Sequence, residues 1–295
     1  MRYGVRSVGF LALLAPAALA APSSPPPPPP LRPPTAPIEQ PGDVPITIGF
    51  GRDLPSRVLG GTRRINVHVP EGADQPGSRP VVLVLLDGGV KEDFLHIAGL
   101  TDLIGAYGAG PRIVVIGIEG VDRRHDLTSP SSVPSDVKAA PTSGGADAYR
   151  RFLAEELRPW IDTRFPGHGR VALIGESLAG LFTLETCLKG GAGFDDFIAV
   201  SPSLWWNDGG LVRAAPALLR AKGAADRRLW IGFDTPAPPP NLARRERALQ
   251  DALVGALRAA PKGMVWSARR LREGHATVYH PAALKALRQL YPAAP

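Results

Sequence analysis

Four short apolar runs without alternation punctuate the chain: V-V-L-V-L-L at 81–86, I-V-V-I-G-I at 113–118, and shorter runs at 171–174 and 197–200. A strand exposed on one face alternates apolar and polar residues, so continuous runs predict strands covered on both faces. Residues 46–50 and 64–69 also read as strands, the second with Ile65, Val67 and Val69 alternating with polar neighbours. Residues 228–233 and 264–271 complete the set. Helical periodicity fills the intervals, at 94–106, 146–163, 178–188, 210–221, 242–259 and 281–290.

Strand and helix alternating at this rhythm predict βαβ units. The expected fold is therefore α/β with three layers: a mainly parallel sheet, helices on both faces, and an antiparallel edge formed by the opening strands. Ligands in such sheets gather at the carboxyl ends of the strands. Reactive groups are therefore expected just past the end of each apolar run.

Composition sets the frame. Residues 1–20 combine Arg2 and Arg6, an apolar stretch from Val8 to Leu19 and the small-residue site Ala18-Leu19-Ala20. This is the pattern of a secretory signal, too short to span a bilayer comfortably, and it predicts a periplasmic or secreted protein without a stable membrane anchor. Residues 21–42 contain an unbroken proline run from Pro25 to Pro30 and read as an extended linker. Residues 43–295 remain for one α/β domain.

The formal charge of +7 over 295 residues falls to +5 once Arg2 and Arg6 leave with the signal (7 − 2). The basic residues are scattered, with no nucleic-acid module, so the charge supports only a mild preference for anionic substrates. The single cysteine, Cys187, has no intramolecular partner and reads as a core residue on the helix at 178–188. No P-loop and no G-x-G-x-x-G after a strand occurs, and no cofactor or metal site is expected. His275 and His280 lie five apart, but a zinc site would need further ligands that spacing does not supply.

The stretch I-G-E-S-L-A-G-L at 174–181 carries the chemistry. Ser177 follows a buried strand and opens a helix, which would lift its hydroxyl onto a tight turn at the carboxyl edge of the sheet. The nucleophile-elbow pattern G-x-S-x-G has Ala179 at its last position here, with Gly180 one step late. Serine is also an ordinary helix N-cap, so the motif alone leaves both readings open.

A serine nucleophile needs a base, an acid to orient that base, and oxyanion donors. His275, after the last strand and before the last helix, stands where the base belongs; His280, next to Pro281, is the weaker candidate. Asp234 is the first carboxylate past the strand at 228–233 and is the expected acid, with Glu246 and Asp251 as alternatives on the following helix. The amides of Leu178 and Gly89 are the expected oxyanion donors.

Six ordered segments resemble one known family, the "Putative esterase" family of the α/β-hydrolases, which includes esterase D-like, siderophore and some feruloyl esterases. They are V-L-L-D-G-G at 84–89, G-V-D-R-R-H-D-L-T at 120–128, S-G-G-A-D-A-Y-R-R-F-L at 143–153, I-G-E-S-L-A-G-L-F at 174–182, I-A-V-S-P-S-L-W-W at 198–206 and E-G-H-A-T-V-Y-H-P at 273–281. The resemblance implies Ser177 as nucleophile, His275 as base and a small-molecule ester as substrate. It helps least with the acid, because some siderophore-esterase relatives are described as working with a Ser–His pair.

Trp205, Trp206 and Arg123 are candidate substrate contacts, against packing for one of the tryptophans and an Arg123–Asp126 pair. Glu176 is expected to help fix the elbow. Acyl transfer to a sugar or lipid alcohol, and a non-catalytic binding protein on the same fold, remain as alternatives.

Overall fold

The computed structural model describes residues 42–221, 226–235 and 239–293. The expected signal and nearly all of the proline-rich linker, residues 1–41, lie outside the described residues. One compact unit begins at Thr47.

Eight strands form one sheet: β1 (Phe50–Ser56), β2 (Gly61–His68), β3 (Val81–Leu86), β4 (Ile113–Ile118), β5 (Val171–Glu176), β6 (Asp196–Val200), β7 (Arg228–Phe233) and β8 (Val265–Arg270). Their order is β1-β2-β4-β3-β5-β6-β7-β8. The β1/β2 and β2/β4 pairs are antiparallel and every later pair is parallel. Observed and expected limits coincide for β3, β4 and β7, the runs covered on both faces. The first strand is different: it spans Phe50–Ser56 and not 46–50, because Ile46 is fully exposed and supplies no buried face.

Helices cover both faces: α1 (Phe94–Ala106), α2 (Arg123–Asp126), α3 (Pro134–Ala139), α4 (Ala146–Phe152), α5 (Arg158–Arg164), α6 (Leu178–Leu188), α7 (Trp206–Arg220), α8 (Pro240–Leu257) and α9 (Tyr279–Leu290). The two-residue period of β3 divides the core. Val81, Leu83 and Leu85 pack with α1 and α9, while Val82, Val84 and Leu86 face the side built by α4, α6, α7 and α8. Each such fully buried Val or Leu side chain stabilises by roughly 1.5–3 kcal/mol, which is why these runs mark the sheet so cleanly. Cys187 lies in this core, and burial pushes its thiol up to about 12.

Two helices depart from expectation for local reasons. The helix expected at 146–163 is interrupted by a π turn at Leu153–Leu157, where the Arg158 amide reaches back five residues to the Leu153 carbonyl. Pro159 follows at once; lacking an N–H and carrying a ring that would strike the carbonyl four residues back, it needs the wider turn. In α7, Asn207, Asp208 and Gly209 are left-handed, so regular helix begins at Gly210 as expected. The short α2 and α3 lie in a segment expected as loop. Among the described residues, no helix is long and apolar enough to cross a membrane.

Candidate active site

The sheet's parallel strands end together, and three successive neighbours in it each pass into a non-glycine residue with positive φ: Asp87 after β3 (51°), Ser177 after β5 (60°) and Ser201 after β6 (41°). Such conformations cost of order 1–3 kcal/mol each and persist only where surrounding structure enforces them.

At Ser177 the enforcement is visible. The residue has φ 60°, ψ −119°, its N–H donates to the Val200 carbonyl at 3.0 Å, and its own carbonyl accepts from Leu181 and Ser203. Its side chain makes no capping bond, so the N-cap reading of this serine fails on geometry. The displaced glycine is explained as well. A methyl at Gly180 would lie 2.4 Å from the Val200 carbonyl oxygen, whereas Ala179 is fully buried and its methyl occupies the space that Gly175 leaves open. Helix α6 crosses β6 at position 180, so that is where glycine is required.

Ser177 Oγ lies 3.3 Å from Ser203 Oγ. On the neighbouring strand ends, His275 Nδ1 is 2.8 Å from Ser201 Oγ and 3.5 Å from Asp234 Oδ2. Nδ1 is thus committed, and Nε2 has no protein partner among the described residues. With the proton on Nδ1 donated to Ser201, Nε2 is left as the basic nitrogen and the Ser201 hydroxyl hydrogen is free for Asp234. The hydrogen bond with Asp234 raises the His275 pKa above its ordinary value; burial opposes the rise, and the charges of Asp234, Glu176 and Glu246 add to it. Burial pushes Asp234 upward, but hydrogen bonds from His275 and Ser201 outweigh it and hold the carboxyl below the usual range.

Of the alternative acids, Glu246 is near enough for its charge to act on the pair, whereas Asp251 is engaged by Arg270 at 2.5 Å on the surface. Ser201 was not singled out in the sequence. The available signal was its position, a small polar residue one step beyond a buried strand, the same placement as Ser177.

Several expectations are corrected. Arg123 does not pair with Asp126: its Nε donates to both carboxylate oxygens of Asp87 at 2.9 and 2.8 Å, and its Nη2 to the Glu176 carbonyl at 3.3 Å. It is a strut between the ends of β3 and β5, not a free cation. Asp126 is buried against Arg63 and His125. Trp206 turns inward, 5% exposed, and its indole N–H donates to the Ser129 carbonyl, so it packs the loop beneath Trp205; Trp205 is 45% exposed.

The Gly89 amide donates at 2.6 Å to Glu92 Oε2, a side-chain bond within the turn that leads into α1. Of the expected pair, the Leu178 amide has no acceptor among the described residues: it belongs to the first turn of α6, which supplies no intrahelical partner. Glu176 carries a buried, unpartnered Oε1, and burial pushes its pKa up to about 7, the nearby His275 opposing and Asp93 adding.

The family model described as "Putative esterase" matches residues 56–280. The chain belongs to that family.

Two curated relatives illustrate the range of this esterase family. "Siderophore enterobactin esterase" of Emericella nidulans is 35% identical over 36% of this chain and 40% of its own length. "Ferri-bacillibactin esterase BesA" of Bacillus subtilis is 32% identical over 53% of this chain and 58% of its own. The chain therefore spans about half the length of the curated relatives it matches. Among solved structures, an IroE-like serine hydrolase from Shewanella oneidensis superposes with a TM-score of 0.74 at 26% identity, covering 82% of this chain and 80% of that one. Siderophore hydrolase EstA from Aspergillus nidulans shares the fold, at 0.67 and 23% identity over 84% and 97%. The fold is that of the α/β-hydrolases.

Proposed function

We propose that this chain is a cofactor-free serine esterase that cleaves carboxylic esters through an acyl-Ser177 intermediate. The observation that carries this reading is the strained Ser177 elbow on the same sheet edge as a histidine whose Nδ1 is fixed by Ser201 and Asp234. His275 Nε2 takes the Ser177 proton as Oγ attacks the ester carbonyl carbon. The carbonyl π pair moves onto oxygen, where the Leu178 amide stabilises it, and one such donor is worth roughly 10²–10³ in rate. The Gly89 amide becomes a second donor once the Glu92 carboxylate turns away from it.

Collapse of the intermediate breaks the bond to the leaving alkoxide, which receives the proton from His275. A water, deprotonated by the same nitrogen, then hydrolyses the acyl-enzyme. Asp234 and Ser201 hold the imidazole in the tautomer that leaves Nε2 basic.

For substrate we propose small anionic esters of the siderophore kind, as the names of the relatives suggest. A groove of about 680 Å³ lined by Arg269, Arg272, Lys285 and Arg288 would attract negative charge to the flank of the sheet beside β8, although Ser177, Asp234 and His275 do not line it. The test runs a p-nitrophenyl ester series and a ferric catecholate trilactone against wild type and Ser177→Ala, with a serine-directed fluorophosphonate as a label. Hydrolysis and labelling that vanish in the variant are expected. Labelling of the variant equal to wild type would remove Ser177 as nucleophile, and no turnover of any ester would remove the esterase reading. We also propose that the protein works in the periplasm or outside the cell; the N-terminal residue of protein recovered from its native host tests this, with Ala21 expected.

A further inference from the structure

His280 is drawn into neither the catalytic pair nor a free surface position. It stands in the first turn of α9, and the fold sets it against the first turn of α1. His280 Nε2 lies 3.6 Å from Asp93 Oδ1, and His96 Nδ1 lies 3.7 Å from that same oxygen. The two imidazole rings meet edge to face with centroids 4.7 Å apart. The three potential ligand atoms all fall within 4.8 Å of one another, and each side chain is open to solvent.

The behaviour of Asp93 is the second observation. It occupies the N-cap of α1, where an aspartate ordinarily accepts a backbone N–H from the first turn, worth about 1 kcal/mol. Its side chain makes no such bond. The carboxylate has turned from the helix it should cap toward two histidines, one on its own helix three residues on and one on another helix.

We propose that Asp93, His96 and His280 form a binding site for a divalent first-row transition metal ion of the Zn²⁺ class. Two imidazoles and one carboxylate are a donor set such ions accept, with Zn–N near 2.0–2.1 Å and Zn–O near 2.0–2.2 Å. Tetrahedral bonds of that length separate neighbouring ligand atoms by about 3.3 Å. The two distances to Asp93, 3.6 and 3.7 Å, need only a few tenths of an ångström of closure, and the two imidazole nitrogens, within 4.8 Å of each other, close further by rotation of their exposed side chains. Three protein ligands leave at least one position for water or another small ligand. Two helix N-termini point their partial positive charge at the ion, which weakens binding relative to a closed four-ligand site.

The site has a structural consequence. Asp93 lies four residues beyond Gly89, and His280 lies five residues beyond His275. A bound ion would therefore clip together the helix starts that succeed these two loops.

The experiment uses the full chain, dialysed against a chelator and then titrated with Zn²⁺ by isothermal calorimetry. One equivalent is expected to bind wild type. His280→Ala and His96→Ala should each weaken binding by at least about 100-fold, the upper end of the loss from an outer-shell change, while His125→Ala should leave it unchanged. Zn²⁺ should also raise the melting temperature of wild type and not of His280→Ala. Co²⁺ provides a readout independent of stability: visible absorption bands in wild type that disappear in His96→Ala. The proposal is overturned if wild type binds no Zn²⁺, or if binding survives both variants and is lost in His275→Ala, which would place the ion at the base.

Discussion

Polar groups at opposite edges of one sheet are treated very differently. Asp196 opens β6 at the amino edge and is fully buried. It accepts from Arg170 Nε and Nη2, from Arg228 Nε at 2.7 Å and Nη2 at 2.5 Å, and from the Tyr291 hydroxyl at 2.5 Å. Burial pushes its pKa up, but those hydrogen bonds prevail and hold it low. At the carboxyl edge, Glu176 Oε1, Asp234 Oδ1 and the Tyr279 hydroxyl are buried with no partner among the described residues. Each orphaned group costs about 1–3 kcal/mol. One edge uses its polar groups for cohesion, while the other leaves single atoms of them unsatisfied beside a strained serine, which is the arrangement expected where charge must appear and move during a reaction.

The most severe test of this division of labour is at Asp234. Replacement by Asn keeps the shape but removes the charge that raises His275, and it can fix the wrong imidazole tautomer. A loss of about 10³ in kcat is expected, between the limits for general-base and triad-acid removal. The sign of the pH effect comes from the same charge. In the proposed mechanism the working form is neutral His275, so activity should fall as pH drops through its raised pKa. Asp234→Asn lowers that pKa, so the acid limb of the kcat/KM profile should move to lower pH even as the plateau falls. A plateau loss with an unmoved limb would show that Asp234 does not act through the histidine.

Asp196→Asn probes the other edge. Removing this charge leaves Arg170 and Arg228 without their shared acceptor, and breaking a buried ion pair costs about 3–5 kcal/mol. Denaturant unfolding should show that loss, while kcat/KM of the remaining folded enzyme stays within about threefold of wild type, below 1 kcal/mol. Equal damage to catalysis would mean that the two edges are not separate.

The contrast also explains what could be read without coordinates. Runs buried on both faces declare themselves by composition, so β3, β4 and β7 were legible to the residue. The edge strand β1 was not, because most of its residues are exposed and no period constrains it. At the site, Ser177, Asp234 and His275 stand out as candidates because each comes after an apolar run, a one-dimensional cue. Partnerships across strands have no such cue. Arg123 has an aspartate three residues away and still takes Asp87, 36 residues back, since the sheet places the ends of β3 and β5 side by side. The Ser201–His275 contact and the Asp93–His96–His280 cluster have no such cue either, because they depend on which strand ends and helix starts become neighbours.

Ser201 divides the carboxyl edge at a finer scale. Its hydroxyl is the nearest partner of His275 Nδ1, at 2.8 Å against 3.5 Å for Asp234. Ser201→Ala should cost about tenfold in kcat, near 1.4 kcal/mol, since the charge of Asp234 remains. With one bond to the Asp234 carboxyl lost, that carboxyl should titrate at higher pH. A loss as large as that of Asp234→Asn would make the serine, not the carboxylate, the group that orients the base.

The smallest effect tests whether the elbow stores strain at all. Ser177→Ala keeps a Cβ at φ 60°, ψ −119°, and so keeps the penalty. Ser177→Gly removes the Cβ and admits this conformation freely, though glycine loses about 0.5–1 kcal/mol more entropy on folding. Against a strain of roughly 1–3 kcal/mol, the glycine variant should be the more stable of the two inactive proteins by about 1 kcal/mol, measured by urea unfolding. Glycine is also favoured over alanine at an ordinary helix N-cap, so it is the opposite order that decides against strain. Finding the alanine variant equal or more stable would mean that the Ser177 backbone is relaxed, and that the carboxyl edge holds its cost only in orphaned polar groups.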